Sequence, residues 1–196
     1  PLFGVAGRRG SCESCEKTWS ECAGHFGHFE LPMPCYHNGW ILECMNWLRR
    51  SCPCGFVQNL TLGKKCPECD QPTAKIRKKN SITLTIEDKE GFRILAASEA
   101  YKRLEKIPQN NVQNYYTGAD LLFHPMHLIL KVLLIPPNPV RPSPTIDGDE
   151  VRGEDDITRR LLYVMRIAKA MKSSAKENTI VRKHAEQRLN NAVNMY

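Results

Sequence analysis

The feature that most constrains this chain is a run of metal-binding residue types between residues 12 and 25. Its spacing, C-x2-C-x6-C-x-G-H, places four donors in one short loop: Cys12, Cys15, Cys22 and His25. Tetrahedral zinc binds thiolates and imidazole nitrogens at about 2.0–2.3 Å, and ligands two residues apart suit that geometry. A catalytic zinc keeps one position open, whereas this loop supplies four ligands. The spacing therefore predicts a structural zinc site, and Gly24 lets the backbone turn tightly around the ion.

Three other histidine or cysteine residues lie near this loop in the sequence, and we do not expect them to bind the metal. His28 follows His25 by three residues and competes for the fourth position. Because the tetrahedron is already complete, we expect His28 to be a packed or hydrogen-bonding histidine. Cys35 and Cys44 have no paired neighbours, so we expect buried thiols that behave as small hydrophobic residues.

A second candidate group consists of Cys52, Cys54, Cys66 and Cys69. The C-x2-C pair at residues 66–69 is typical of zinc sites, and Lys64 and Lys65 lie alongside to offset thiolate charge. Only one residue separates Cys52 from Cys54, which strains two ligands on one ion. Whether both bind stays open at this point. The two groups together predict two zinc ions per chain.

The nine cysteines come in short-spaced pairs beside His, Lys and Gly, which favours metal sites in a reducing compartment over a disulfide framework. The net charge of +7 favours a polyanionic neighbour such as nucleic acid, or simply a soluble basic surface. No apolar stretch approaches about 18 residues, so no membrane partner is expected. The first residue is Pro1 rather than Met, which suggests a fragment of a longer protein.

A short basic run follows the second Cys group: Lys75, Arg77, Lys78 and Lys79. Clustered cations that face phosphates add salt-dependent, sequence-independent affinity for nucleic acid. The alternative is a solvated strand edge, which lysines often protect. The sequence leaves both interpretations open.

Apolar periodicity predicts several elements between the metal groups and the C-terminus. Residues 38–51 carry an apolar set compatible with a buried helix. Residues 80–97 alternate in places and predict two strands joined at residues 89–91. Ser98 is predicted to be the N-cap of a helix that carries Tyr101, Leu104 and Ile107 and stops at Pro108.

The last 42 residues predict an antiparallel helical hairpin. Asp155 and Asp156 open a long helix, where acidic side chains suit the positive end of the helix dipole. Two seams follow heptad-like spacing: Ile157, Leu161, Val164, Ala168 and Met171, then Ala185, Leu189, Ala192 and Tyr196. The polar region 173–179 would be the turn. The alternative is an ordinary pair of core helices.

These patterns predict an α+β fold in three parts. Residues 1–79 form a metal-binding part with both Cys/His groups, and residues 80–144 form an α+β body ending in a Pro-rich segment. Residues 145–196 form a linker and the coiled-coil hairpin.

Several of these segments resemble the largest subunit of multi-subunit RNA polymerases. Residues 22–32, C-A-G-H-F-G-H-F-E-L-P, are similar to the zinc-binding opening of that family, C-x-G-H-F-G-H-I-x-L. Residues 133–144 resemble its V-x-P-V-P-P-x-x-V-R-P-S motif. Residues 152–158 resemble its R-G-E-D-D-L-T, which leads into the clamp helices. Residues 80–125 match weakly.

The resemblance implies the clamp region of that subunit, an irregular zinc-stabilised domain with a projecting hairpin. In the family the clamp retains template DNA and the DNA–RNA hybrid during transcription, and the hairpin docks initiation and elongation factors. Lys172 and Lys176, near the hairpin tip, are the expected factor-docking residues. The expected partners also include the other polymerase subunits, above all the second-largest. The location would be the nucleus in a eukaryote, or the cytoplasm for an archaeal or viral polymerase.

No catalytic residue is predicted in this chain. The family holds its catalytic Mg²⁺ with an N-A-D-F-D-G-D motif, which is missing here, and Asp147-Gly148-Asp149 is interpreted as loop. Magnesium would therefore belong to the whole enzyme rather than to this chain. A zinc hydrolase would need an open metal site, and the ligand count argues against one. The main alternative is a free-standing zinc-ribbon module that binds nucleic acid and oligomerises through a coiled coil.

Overall fold

The computed structural model describes residues 3–5, 10–58, 63–88, 91–113, 123–142, 145–146, 151–173 and 179–196. The chain divides into two compact units, each built from segments that are distant in sequence. Unit 1 comprises residues 1–32, 132–177 and 195–196, and unit 2 comprises residues 33–131 and 178–194. The three-part division along the sequence stays a prediction.

The described residues combine helices with small sheets, as the predicted α+β class requires. The strands are β1 (Gly27–Tyr36), β2 (Ile76–Asn80), β3 (Thr83–Asp88), β4 (Gly91–Leu95), β5 (Ile129–Ile135), β6 (Thr145–Ile146) and β7 (Val151–Arg152). The α-helices are α1 (Ile41–Arg50), α2 (Ala97–Glu105), α3 (Gln109–Gln113), α4 (Asp156–Ser173) and α5 (Thr179–Met195). Short 3-10 turns occupy Asn38–Trp40, Pro125–Leu128 and Asn138–Val140. β1 pairs with β5, β6 with β7, and β2, β3 and β4 form a sheet in that order.

Helix α1 supplies one wall of the unit 2 core and confirms the predicted buried helix. Its apolar side chains recur at three- and four-residue intervals, so that one stripe faces inward. Trp47 and Cys44 on this stripe are buried together with Leu84 of β3 and Leu104 of α2. Burial raises the pKa of the Cys44 thiol to about 12, as expected for a neutral thiol in an apolar core. Cys35 is also buried, as predicted.

The three-stranded sheet of unit 2 confirms the two predicted strands and adds a third. β3 and β4 pair antiparallel with Leu84 opposite Leu95, and β2 pairs antiparallel with β3, with Ile76 opposite Ile86. Side chains alternate between the two faces of a strand, so these four apolar residues cover the core face. β2 contains most of the basic run, for which a strand edge was one of the two interpretations left open, and only Ile76 of its five residues is buried.

Helix α2 begins earlier than the sequence predicted. The helix starts at Ala97, and Ala96 is the N-cap, so the expected N-cap role of Ser98 is wrong. The Ser98 hydroxyl instead donates a 3.0 Å hydrogen bond to the carboxylate of Glu186 in α5. The Ser98 hydroxyl is therefore engaged by Glu186, which is distant in sequence, and does not cap the helix. Ile107 lies beyond the helix but is buried.

Helices α4 and α5 have the apolar faces that the heptad spacing predicted. The Asp155 carboxylate caps α4 by accepting hydrogen bonds from the amides of Ile157, at 2.9 Å, and Thr158, at 3.3 Å. The most buried side chains of α4 include Leu161, Val164 and Ala168, and those of α5 include Leu189 and Ala192. The predicted turn and Lys176 lie outside the described residues, as does the Asp147–Asp149 loop. A coiled-coil hairpin therefore stays a prediction.

Two asparagines of α5 contact the end of β1 within unit 2. Asn190 accepts a 2.7 Å hydrogen bond from the Tyr36 amide and donates to the Ile82 carbonyl at 3.1 Å. Asn194, one turn later, donates to the Tyr36 carbonyl at 2.8 Å. Both backbone polar groups of Tyr36 are therefore satisfied by one helix face.

Within the described part of the chain, no helix has the length and apolarity needed to cross a bilayer.

Candidate metal centres

The first candidate metal-binding group forms in unit 1 from the four residues that the spacing predicted. The donor atoms of Cys12, Cys15, Cys22 and His25 all lie within 4.8 Å of one another. The Sγ atoms of Cys15 and Cys22 are 3.6 Å apart, and Cys22 Sγ is 3.6 Å from His25 Nε2. Tetrahedral ligands at about 2.3 Å from an ion are separated by roughly 3.8 Å. The spacing fits a shared metal and is far longer than the roughly 2.05 Å of a disulfide.

The backbone of residues 12–17 folds into a knuckle around the first two sulfurs. The Cys12 amide donates to the Lys17 carbonyl at 2.9 Å, and the Glu16 amide donates to the Cys12 carbonyl at 2.7 Å. Glu16 adopts the left-handed conformation with φ 60°. The Ser14 amide points at Cys12 Sγ at 3.4 Å, so a backbone donor stabilises negative charge on sulfur.

This environment lowers the pKa of the Cys12 thiol to about 6. Burial acts in the opposite direction, but hydrogen bonds from the amides of Ser14 and Cys15 and from neighbouring thiols outweigh it. Because the thiolate is the form that binds metal, the loop favours the required charge state.

The Pro-rich segment holds the first loop from a distance of more than 100 residues in sequence. The Phe3 carbonyl accepts hydrogen bonds from the amides of His25, at 3.3 Å, and Asn138, at 3.1 Å. The Asn138 side chain also donates to the Gly4 carbonyl at 2.8 Å. Gly24 has φ 87°, and a Cβ atom there would lie 2.5 Å from Cβ of Pro137. Glycine is therefore required both by conformation and by the close approach of this segment.

Arg141 joins the same segment to the start of α4 within unit 1. Its guanidinium donates to the Pro136 carbonyl at 3.0 Å, to the Asn138 side chain at 3.0 Å and to the Thr158 hydroxyl at 3.2 Å. The planar fork of Arg suits three fixed acceptors. Sequence reasoning noted the prolines of this segment but missed Arg141 as its organising side chain.

The second metal-binding group forms in unit 2 and includes both residues of the irregular pair. The sulfurs of Cys52, Cys54, Cys66 and Cys69 lie within 4.8 Å of one another. Cys52 Sγ is 3.5 Å from Cys69 Sγ, and Cys54 Sγ is 3.8 Å from Cys66 Sγ. The single intervening residue therefore does not prevent Cys52 and Cys54 from facing one point.

One half of the second group repeats the knuckle of the first. The Cys66 amide donates to the Gln71 carbonyl at 2.9 Å, the Asp70 amide donates to the Cys66 carbonyl at 3.0 Å, and Asp70 has φ 53°. Lys65 pairs with the Asp70 carboxylate at 3.3 Å. The repeated hydrogen bonds show that C-x2-C specifies this turn in both units.

The other half of the second group is the loop that begins at Cys52, and this loop is one residue shorter than the knuckle at Cys66–Gln71. The Cys52 amide donates to the Phe56 carbonyl at 2.8 Å, and the Gly55 amide donates to the Cys52 carbonyl at 2.9 Å. Gly55 has φ 100°, and a Cβ atom there would lie 2.5 Å from the Lys106 carbonyl oxygen. Gly55 thus allows the shortened loop to close against the end of α2. Sequence reasoning missed this residue, although a Gly directly after C-x-C is a signal for a left-handed turn.

The thiols of the second group differ in their affinity for protons. Burial raises the pKa of Cys52 to about 12. Burial also opposes ionisation of Cys66, but the amides of Cys69 and Glu68 outweigh it and lower that pKa to about 7. When four sulfurs lie together, a thiolate at one of them disfavours ionisation of the others. A bound cation would lower the pKa of all four thiols and so favour four thiolates.

The remaining candidate residues lie on the protein surface. His28 is exposed and is not part of either four-donor group among the described residues. Lys75 pairs with Glu87 at 2.9 Å, and the Arg77 guanidinium lies 4.7 Å from the centre of the Phe92 ring. Lys78 and Lys79 are exposed on β2, at one edge of its sheet. Lys172 is exposed near the end of α4. The predicted binding roles of these residues stay predictions.

Comparison with known proteins identifies the family. The family model described as RNA polymerase Rpb1, domain 1 matches residues 54–196. DNA-directed RNA polymerase subunit Rpo1N of Sulfolobus acidocaldarius is 30% identical over 89% of this chain and 23% of its own length. The subunit of the same name from Thermoplasma acidophilum is 30% identical over 83% of this chain and 22% of its own length.

The match to the Sulfolobus protein extends into the residues before 54, because 89% of this chain exceeds the region covered by the family model. The chain spans less than a quarter of the length of these relatives. The family model itself covers well over half of the chain. The chain therefore belongs to the family of RNA polymerase Rpb1, domain 1.

Proposed function

We propose that this chain is a non-catalytic, zinc-stabilised clamp segment of the largest subunit of a DNA-directed RNA polymerase. The observation that carries the proposal is the presence of two four-donor groups, one in each unit, in a chain of this family. Four protein ligands fill a tetrahedral zinc, which favours a structural role over catalysis. The polymerisation reaction and its Mg²⁺ would belong to other parts of the enzyme.

The composition of the two groups fits zinc. Three sulfurs and a nitrogen in the first group, and four sulfurs in the second, are the donor sets that zinc prefers in structural sites. Few of the described apolar side chains pack with them: the first group packs with Val5, and the second with Phe56. Because so little core is available, metal binding would supply folding free energy, of about 10–16 kcal/mol for small zinc modules.

The basic run would help the assembled enzyme retain nucleic acid. Lys75, Arg77, Lys78 and Lys79 lie on or beside the edge strand β2, where cations reach solvent. Phosphate contacts of this kind add affinity without sequence choice, in accord with holding template DNA and the DNA–RNA hybrid during transcription. The other polymerase subunits, above all the second-largest, would complete the binding channel.

Helix α4 would dock initiation and elongation factors. A groove in unit 1 has an apolar floor and a cationic rim: Phe29, Leu162, Met165, Ala168, Arg166, Lys169 and Lys172. Such a groove complements an amphipathic acidic partner. Lys172 lines this groove, which supports its predicted docking role. Lys176, the other predicted docking residue, lies outside the described residues. The location follows the enzyme: the nucleus in a eukaryote, and the cytoplasm for an archaeal or viral polymerase.

Affinity purification of the full-length protein from its own cells tests this proposal. We expect the second-largest subunit to co-purify, together with template-dependent RNA synthesis and two zinc ions per copy of this chain. Neutralising Lys75, Arg77, Lys78 and Lys79 should shorten the lifetime of elongation complexes at raised salt, whereas neutralising the exposed Lys102 and Lys106 should not. A symmetric oligomer that binds nucleic acid without polymerase subunits would favour the free-standing zinc-ribbon module instead.

A further inference from the structure

The outer face of the β2–β3–β4 sheet carries large apolar side chains in solvent. Strand alternation places one set of side chains on this face: Lys75, Arg77, Thr85, Glu87, Phe92 and Ile94. Phe92 and Ile94 are each 46% exposed, whereas Leu95, on the opposite face, is fully buried. We call this set the outer face. Phe92 and Ile94 are next to each other on this face of β4, and adjacent exposed apolar side chains rimmed by polar ones are a feature of interaction sites.

The Phe92 ring is paired with a cation rather than covered by the core. The Arg77 guanidinium lies 4.7 Å from the ring centre, although Arg77 is on β2 and Phe92 is on β4, with β3 between them. The Arg77 side chain therefore extends across the central strand. The pair presents two flat π-systems, each of which stacks well on a nucleobase.

The positive charge of the sheet indicates which class of partner the outer face would bind. Lys79, at the irregular end of β2, adds an exposed cation to Arg77, whereas Lys78 lies opposite Leu84 and belongs to the other face. The one carboxylate described on the outer face, that of Glu87, is paired with Lys75. An excess of positive charge beside stackable rings is complementary to a polyanion that carries flat bases, and it disfavours a basic protein surface. Duplex DNA hides its base faces, so the complement is an unpaired strand.

We propose that the outer face is a stacking platform for single-stranded nucleic acid, with Phe92 and Arg77 stacking a base and Lys79, at the irregular end of β2, contacting a phosphate. The Thr85 hydroxyl donates to the Arg77 carbonyl at 3.2 Å, and Glu87 pairs with Lys75. Because these polar groups are already engaged, the platform binds DNA and RNA strands alike. This inference deepens the proposed nucleic-acid role of the basic run and depends on it.

Photochemical cross-linking in the assembled polymerase tests the platform. Oligonucleotides containing 5-iodouracil, as DNA and as RNA, would be irradiated with the enzyme, and the cross-linked peptide would be mapped. We expect equal DNA and RNA cross-links within β4. Phe92→Ala should abolish them and weaken strand binding about fivefold or more, whereas Phe92→Tyr should retain both. Ile94→Ala, an equally exposed neighbour, is the matched control and should leave the cross-link intact.

The salt dependence separates stacking from charge. Phe92→Ala should weaken strand binding without changing the slope of log affinity against log salt concentration. Lys79→Gln should reduce the magnitude of that slope by about 0.7 if the cation contacts one phosphate, whereas Lys78→Gln, on the other face of the sheet, should leave it unchanged. A tenfold preference for either sugar would contradict a platform that uses only stacking and charge.

The result that would overturn the inference is distinct from failure of the proposed function. If the polymerase assembles with its full subunit and zinc content but β4 gives no cross-link, the platform is wrong and the clamp assignment stands. If Phe92→Ala instead releases a protein subunit, the outer face is a protein interface. If the chain does not co-purify with polymerase subunits at all, the proposed function itself fails.

Discussion

The two metal-binding groups share one half and differ in the other. Cys12–Lys17 and Cys66–Gln71 form the same knuckle, with matching backbone hydrogen bonds and a left-handed residue after the second Cys. The partner halves diverge. The loop before His25 is fixed by Phe3 and the Pro-rich segment, whereas the loop after Cys52 closes on Gly55 against the end of α2.

This difference shows what spacing specifies and what tertiary contacts add. C-x2-C fixes a local turn, since every hydrogen bond of the knuckle is made within six residues. Completion of the four-donor set instead depends on backbone from elsewhere in the same unit. The comparison therefore predicts that each group is sensitive to different sequence-distant residues.

The largest effect should come from removing a donor of the first group. His25→Ala leaves three sulfurs, so zinc content should fall from two to about one and residues 10–26 should lose protection from proteolysis, because metal binding is folding free energy there. His28→Ala is the matched control, being exposed and outside the group. Atomic absorption and limited proteolysis measure both outcomes. Loss of zinc in the His28 variant would show that the fourth ligand is misassigned.

Gly55→Ala should affect the second group alone. The substitution places a Cβ 2.5 Å from the Lys106 carbonyl at φ 100°, so we expect a loss of about 1–3 kcal/mol in stability and preferential loss of the second zinc. Gly63→Ala, where a Cβ would meet nothing within 4 Å, is the control and should be nearly neutral. Chemical denaturation together with zinc counting would check the pair. If the two substitutions had equal effects, the close approach of Gly55 to the Lys106 carbonyl would not be what closes the loop.

Arg141→Lys should weaken the first group from a distance. An ammonium cannot reproduce the fork that contacts Pro136, Asn138 and Thr158, so the Pro-rich segment should loosen against the zinc loop by about 1–2 kcal/mol. The rate of zinc transfer to a chelator should rise for the first group and stay constant for the second. Faster release from both groups would indicate a general loss of stability.

Glu99 in unit 2 gives a small effect that depends on pH. Burial tends to raise the pKa of its carboxyl, but ion pairs with Arg93 and Arg103 outweigh burial, and the pKa lies below its ordinary 4.5. The stabilisation is therefore fully present above pH 4.5 and is lost as pH falls through the lowered value. Glu99→Gln should cost about 1 kcal/mol or less near neutral pH, with unchanged zinc content. A cost that persists undiminished in acid would refute the ion-pair explanation.

The sequence predicted those features that depend on neighbours in the chain. The two four-donor groups that could hold a metal, α1 and the apolar faces of α4 and α5 follow from short spacings. β2 was only one of two interpretations of the basic run, because an edge strand of basic residues has little apolar alternation. No local pattern encodes the contacts of Ser98 with Glu186, 88 residues away, of Arg141 with Thr158, 17 residues away, or of Asn190 with Tyr36, 154 residues away.

Whether both four-donor groups are closed zinc centres can be measured by X-ray absorption at the zinc edge, combined with metal counting on the purified polymerase. We expect two zinc ions in this chain with about seven sulfur and one nitrogen neighbours between them, the sulfurs at about 2.3 Å. Cys54→Ser should remove or weaken only the second ion. One zinc ion in this chain, or oxygen ligands that indicate an open site, would contradict the assignment of two closed structural centres.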